Sequence, residues 1–441
     1  MKKIIFLLTL FILNNCSFDN KTGIWNNSNE DNLAEQNRFK DFETLYTEER
    51  TFNEIVNPKE DIKVLFNKRK KNLKWEDEYF SSSNNLPNFS LKNNNQLIYK
   101  SKKISKNNLN DKILFDGDNI IATDEKGNII IFSTQNQNVT FKYNFYRKKY
   151  KKLSKKLFIK IDKEILFVAD NIGYTYALDY KSKKLLWAHN YKIPFRSNIK
   201  IFEDKIILSD QNNSILILDK INGERLKILP TEETTIKNDF INSFALDEKS
   251  LFYLNTYGSL YSIDKMNFNI NWLVNLNESV DLNNVNLFYS NPIIINKNII
   301  SVSTDPYLYI INADSGVTIF KLPITSIVNP VMTEKNLFLL TKDNLLVCLD
   351  LTKREINYSL NIDEEIAKFL DTKKKTVSVK NLFIVNDDVY LFLKNSYVVI
   401  FKGNGQLKEV SKMKEKILTS PIFINDSILY INNKKKLVIL N

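Results

Sequence analysis

Residues 171–187 read NIGYTYALDYKSKKLLW, and residues 256–272 read TYGSLYSIDKMNFNINW. In each, an apolar residue precedes an Asp and a Trp follows the Asp by eight positions: Leu178-Asp179 with Trp187, and Ile263-Asp264 with Trp272. Looser copies lie on either side. They are Phe132-Ser133 with Phe141, Leu218-Asp219 with Lys227, Ile311-Asn312 with Phe320, Leu349-Asp350 with Tyr358, and Phe401-Lys402 with Val410. An eighth copy begins at Leu440-Asn441. The polar members stand at 133, 179, 219, 264, 312, 350, 402 and 441, so neighbouring copies are 38 to 52 residues apart. A repeat of this length, rich in short strands, predicts a β-propeller, in which each small sheet buries its faces only by stacking on its neighbours. The expectation is an all-β fold: an eight-bladed β-propeller of four-stranded antiparallel blades.

One repeat shows the physics. Residues 197–229 divide into SNIKIFED, KIILSD, SILILD and RLKIL, separated by QNN and KINGE. These are four short strands with Asn, Asp and Gly turns, and Asn222-Gly223 supplies the positive φ of a tight hairpin. SILILD is apolar almost throughout, as a strand buried on both faces must be. The aromatic falls on the outer strand, where it can wedge between blades. Trp187, Trp272, Phe320, Tyr358 and Phe141 are therefore assigned to packing. The last repeat offers PIFIND, SILYINN and KKLVILN, three strands without a fourth. An open edge there would be a liability. The strand-like segment QLIYKSKKI (96–104) can complete it, with Tyr99 in the aromatic position. Blades then run from about 96 to the end. On this reading a chain lacking residues 1–90 keeps a folded ring.

Lys2 and Lys3 precede an apolar run of about ten residues, Ile4 to Leu13, and then Asn14-Asn15-Cys16. That run is of signal-peptide length and too short to span a bilayer. Leu13 three positions before Cys16 resembles a bacterial lipobox, which implies a signal peptide over 1–15 and lipidation of Cys16. Residues 16–71, rich in Asn, Glu and Lys, are read as a periplasmic tether with some helix around Asp31–Arg50, and 72–441 as the propeller. With Cys16 acylated, Cys348 has no disulfide partner and is read as a small core hydrophobe.

The net charge of +12 is dispersed apart from the run Tyr146 to Lys156. In an exported protein that run is read as a solvated loop, and no nucleic acid is expected. The sole histidine, His189, has no nucleophile elbow near it in the sequence, and a chain with 9 Gly carries no phosphate-binding glycine loop. With 1 His and 2 Cys, a zinc site built from those residues is excluded by supply. No catalytic residue, metal or cofactor is assigned.

The stretch Gly173, Tyr176, Ala177, Leu178, Asp179 and Trp187 resembles the pyrroloquinoline-quinone-like propeller repeat. Two groups carry that repeat: the quinoprotein alcohol and glucose dehydrogenases, and the BamB-type lipoproteins of the outer-membrane β-barrel assembly machinery. The lipobox-like start, NKTGIW (20–25), PFRSNI (194–199) and LNTYGSLYSID (254–264) resemble the second group. That resemblance implies a non-enzymatic scaffold, lipid-anchored at the periplasmic face of the outer membrane. Its partners would be the POTRA domains of a BamA-type barrel insertase, and unfolded barrel proteins. It places partner contacts at Phe195 and Arg196 and, more loosely, at Glu232 and Glu233. The alternatives are a quinoprotein-like dehydrogenase and a ligand-binding periplasmic propeller.

Overall fold

The computed structural model describes Cys16–Phe18, Trp25–Asn27 and residues 52–59, 62, 64–92, 95–146, 150–234, 236, 238–277 and 287–441. The chain separates into two compact units, 1–50 and 51–441. In the first, Cys16–Phe18 pairs antiparallel with Trp25–Asn27. The signal peptide, the helix expected around Asp31–Arg50 and the Cys16 side chain fall outside the described residues.

In the second unit, the described residues form eight antiparallel sheets of four strands, one of which gains a short fifth. Blades 1 to 7 span 109–144, 157–190, 200–229, 243–275, 294–322, 331–361 and 379–412. The eighth contains Ile422–Ile424, Ser427–Ile431 and Lys436–Leu440, with Leu97–Lys103 as its outer strand, antiparallel to Lys436–Leu440. A single short helix, Ile362–Phe369, follows blade 6 among the described residues. The Asn361 side chain caps it by accepting the Asp363 and Glu364 N–H groups.

The repeat's polar residue has a definite duty. The Oδ1 atoms of Asp179, Asp219, Asp264, Asn312 and Asp350 each accept two backbone N–H groups from the turn that follows. An Asx turn of this kind satisfies donors that the end of the third strand leaves open. The aromatic eight positions later then reaches the equivalent turn of the next blade. Trp187 Nε1 donates to Lys220 O at 3.1 Å, and Trp272 Nε1 to Ala313 O at 3.1 Å. Each indole lies over a glycine of positive φ. A Cβ on Gly223 would sit 2.4 Å from Trp187, and one on Gly316 would sit 2.7 Å from Trp272. Tyr358 lies similarly against Gly405, and Tyr99 donates to Gln137 O of blade 1. Phe141 and Phe320 are half-buried at their own seams. Lys227, which replaces the aromatic in blade 3, reaches the same place by donating to Asn267 O at 3.2 Å.

The axis of the ring is not empty. Residues 72–92 circle it once at the end where the first strands finish, and bond to the blades in turn. Asn72 Nδ2 donates to Phe423 O of blade 8 (3.0 Å), and Trp75 exchanges backbone bonds with Phe115 of blade 1. Ile161 N of blade 2 donates to Glu76 O at 2.9 Å. Lys200 of blade 3, wholly buried, donates to Asp77 Oδ2 (3.0 Å), Ser81 O (2.9 Å) and Asn84 Oδ1 (2.7 Å). Leu246 of blade 4 and Ile295 of blade 5 donate to Ser82 O and Ser83 O. Asn85 exchanges two bonds with Met332 of blade 6. Asn88–Phe89 runs parallel to Ile384–Val385 of blade 7, and Ser90 Oγ donates to Asp426 of blade 8. Trp75, Phe80, Phe89 and Phe423 stack together at the centre.

Two expectations change as a result. The ring's unit begins at residue 51 and not at 72. Phe52 packs on blades 5 and 6, Val56 bridges Ser359, and Phe66 stacks on Phe338. These apolar side chains make the described residues among 52–71 part of the folded body instead of tether. The expectation that residues 1–90 are dispensable also gives way, because that cut would remove hydrogen bonds to every blade.

Candidate functional site

In a four-stranded meander the start of the first strand, the second turn and the end of the fourth strand share one end. The blade-to-blade connections therefore gather on one face of the ring. The circling segment occupies the other end of the channel, so the connection face keeps an open axial mouth. A cavity of about 330 Å³ lies there. Tyr79 lines it from the circling segment. Around it stand Lys112 of blade 1 and Lys156, Asn198, Asn242, Asn291 and Asn329 from the connections ahead of blades 2 to 6. Phe240 and Tyr289 pair edge-on at 5.5 Å beside them.

Electrostatics below and at the mouth differ. Asp77 is buried, and its carboxylate, flanked by Lys200 at 3.0 Å and Lys160 at 3.5 Å, is held below the usual range although burial opposes this. Lys200 spends all three ammonium protons on acceptors, so the pair is ionic. Burial lowers the Lys200 pKa, while the Asp77 carboxylate opposes that shift. Glu78, the next residue, has no such cation in bonding reach. Burial pushes its carboxyl up to about 7, against the Ile159 N–H that it accepts. Burial also raises Asp210, at the second turn of blade 3, to about 6.

The sequence-assigned contact residues separate in the structure. Phe195 is fully buried between blades 2 and 3 and bridges Asp210. Arg196 follows it on the connection face, with its side chain only 11% exposed. Its guanidinium donates to Asn238 O at 3.2 Å, to Phe195 O at 3.2 Å, and at 3.4 Å to both Gln211 and Asp239. Glu232 sits on the other side of the same blade-3 turn. Its backbone oxygen accepts Asn213 Nδ2, and its carboxylate accepts the Ser259 hydroxyl. Glu233 is exposed. The two sites thus flank the 210–214 turn, each tied to it. Sequence reasoning missed Tyr79, Glu78 and the Asn residues of the mouth. Asn198, Asn242, Asn291 and Asn329 occur near the start of successive repeats, a spacing signal that was present but unread.

Among the described residues no group of three or more His, Cys, Asp or Glu is placed to hold a metal ion. Cys348 is buried in Leu345–Asp350, its thiol pushed up to about 12 by burial. His189 rests against Asn222 O of the next blade. A quinone with its calcium ion does not fit these residues. The far end of the axis is filled by the chain's own 72–92. Asp239, the acid that lines the cavity, is bonded to Arg196; of the acids nearby, Asp111 is bonded to Lys380 and Ser420, and Glu78 is raised toward neutrality.

Residues 148–360 match the family model described as outer membrane protein assembly factor BamB. No curated protein matches the chain by sequence. Among solved structures, BamB from Moraxella catarrhalis is similar at a TM-score of 0.60 and 14% identity, covering 77% of this chain and 99% of that one. The quinohemoprotein alcohol dehydrogenase from Comamonas testosteroni is similar at a TM-score of 0.62 and 8% identity, covering 83% and 80%. A europium-containing methanol dehydrogenase reaches a TM-score of 0.60 at 9% identity, covering 83% and 89%. At such identities these likenesses describe the fold. They show a propeller fold, and the family match supports a BamB-type, pyrroloquinoline-quinone-like reading of residues 148–360.

Proposed function

We propose that this BamB-type propeller is a non-enzymatic scaffold of outer-membrane β-barrel assembly, held on the periplasmic face of the outer membrane by a lipid on Cys16. The observation that carries the reading is the circling segment 72–92. It takes up one end of the axis, leaving the connection face as the ring's accessible working surface. A rigid ring with functional loops on one face is suited to binding. The partner would be the POTRA domains of a BamA-type insertase, with unfolded barrel proteins as passengers.

On that face, Arg196 acts by shaping. Its guanidinium links Asn238 and Asp239 to Gln211 of the blade-3 turn. Glu233 is the free charge on the neighbouring connection, and Glu232 braces it. Preorganised loops lose less entropy on association. The experiment is purification of the tagged chain from membranes in mild detergent. The insertase should co-purify, and the protein should show neither visible absorbance nor dye-linked dehydrogenase activity after incubation with quinone and calcium. Reconstituted dehydrogenase activity would instead support the quinoprotein alternative, which the fold likeness keeps in view.

A further inference from the structure

We infer that the sector of the connection face built by blades 8 and 1 rests on a membrane surface rich in anionic phospholipid. The connections ahead of blades 8, 1 and 2, with the second turns of blades 8 and 1, place Lys106, Lys126, Lys151, Lys152, Lys416 and Lys434 there, all exposed. Hydrogen bonds join these loops into one surface. Asn433 N donates to Lys416 O at 3.0 Å, and Lys435 Nζ to Lys106 O at 3.0 Å. Glu125 N donates to Asn108 O at 2.9 Å, and Lys155 N to Glu125 O at 2.8 Å. Among the described residues of these loops the acids are Glu125 and Glu415, and both are engaged. Glu125 accepts Asn108 Nδ2 at 3.1 Å, while Glu415 faces Lys100 at 2.7 Å and accepts Asn432 Nδ2 at 2.9 Å.

Across the ring the same face has the opposite sign. In the connections ahead of blades 4 and 5 and the second turns of blades 3, 4 and 5, the described residues include Asp210, Glu232, Glu233, Asp239 and Asp305 but no Lys or Arg. A face polarised in this way is turned by an anionic surface, basic side inward. That orientation leaves the blade-3 loops, with Arg196 and Glu233, clear of the membrane.

Lipid fits the basic sector better than an acidic polypeptide does. Every cation among its described residues is Lys, a hydrated point charge on a flexible stem, which suits a diffuse layer of headgroups. A paired carboxylate would favour the planar fork of Arg instead. The described part of the basic run also carries an apolar tip. Leu153 is 50% exposed and stands next to Lys151 and Lys152. Its loop is braced from behind. The Tyr150 ring meets Tyr174 edge-on at 5.7 Å, and the buried Lys155 donates to Tyr150 O. Asn171 donates to Ser154 O at 3.2 Å and accepts Lys156 N at 2.9 Å. Lysines around a protruding apolar residue match the charged and apolar layers of a bilayer interface. The choice of a membrane also rests on the anchoring proposed through Cys16.

The test uses the mature chain with Cys16→Ser, so that no acyl chain contributes, and vesicles sedimented at physiological salt. Vesicles of equal parts phosphatidylcholine and phosphatidylglycerol should bind at least about tenfold tighter than phosphatidylcholine alone, as several lysines near an anionic surface imply. The variant Lys126→Gln, Lys152→Gln, Lys416→Gln, Lys434→Gln should lose that preference with Tm unchanged. A control of equal net charge, Lys163→Gln, Lys249→Gln, Lys297→Gln, Lys335→Gln in turns of the opposite face, should keep it. No preference for the anionic vesicles, or equal losses in the two variants, would overturn the inference. Polyglutamate bound as tightly as the vesicles would overturn it in favour of an acidic polypeptide. The insertase and the acyl chain are absent from this test, so its failure would leave the scaffold reading standing, and that reading fails separately if no insertase co-purifies.

Discussion

The two ends of the axial channel contrast sharply. At one end the chain fills its own ring, and every blade contributes a hydrogen bond to residues 72–92. At the other end Lys112 and the connection residues Lys156, Asn198, Asn242, Asn291 and Asn329 surround open space. The filled end is paired: Lys200 has three acceptors and Asp77 has two lysines. The open end keeps Asn242 Oδ1 without a partner. Polar groups satisfied by the chain itself hold the filled end together, while the open end keeps a buried amide oxygen unpaired in the wall of a cavity.

The contrast can be broken most severely by truncation. Removing residues 1–90 should abolish the cooperative thermal transition, because all eight blades lose a bonded neighbour, while removing residues 1–50 should leave the transition near its original temperature. Equal melting of the two truncations would show that the axial segment is a passenger. Within the filled end, Lys200→Met leaves Asp77 buried beside Lys160 alone. Breaking a buried ion pair costs about 3–5 kcal/mol, to be read from denaturant midpoints.

The seams between blades provide a graded comparison. Trp187 is 8% exposed and Trp272 is half-buried. Trp187→Ala should cost about 3–5 kcal/mol, and Trp272→Ala should cost less. A reversed order would mean that the indole hydrogen bonds, and not burial, hold the seams.

Glu78, between the two ends, supplies the smallest effect. Its folded pKa is about 7 against an ordinary 4.5. The folded state therefore holds a proton that the unfolded state releases. That contribution is fully present below about 4.5 and is lost as pH rises through about 7. Glu78→Gln should flatten the fall in stability across this window and raise Tm at neutral pH relative to the parent. A Gln variant with an unchanged pH profile would place the raised pKa elsewhere.

The repeats were legible because each carries local chemistry at fixed spacing. Asp179 and its counterparts cap a turn, and Trp187 and its counterparts reach the next one. The strand Leu97–Lys103 was legible for a related reason, since the last repeat lacked an outer strand. The axial segment was not. NLKWEDEYFSSSNNLPNFSLK (72–92) has no period, because it bonds each of the eight blades in succession through different groups and repeats nothing. Residues 52–71 looked like tether because their anchors, Phe52, Val56 and Phe66, are isolated among polar residues. Phe195 and Arg196 were found as a pair, but strand alternation turns them apart, one into the core and the other onto the face. The burial that raises Glu78 comes from blades distant in sequence, and no local pattern reports it.

The connection face is the partner-binding surface proposed for this ring. The most direct measurement is binding of the mature chain to isolated insertase POTRA domains, compared with an Arg196→Glu, Glu233→Lys variant whose melting is followed in parallel. Binding by the parent should weaken by about 2 kcal/mol or more in the variant, the scale of an interface hot spot, with the cooperative thermal transition retained. No binding by the parent, or unchanged affinity in a variant whose melting temperature has dropped, would contradict the claim and leave Arg196 as a clamp on its own loop.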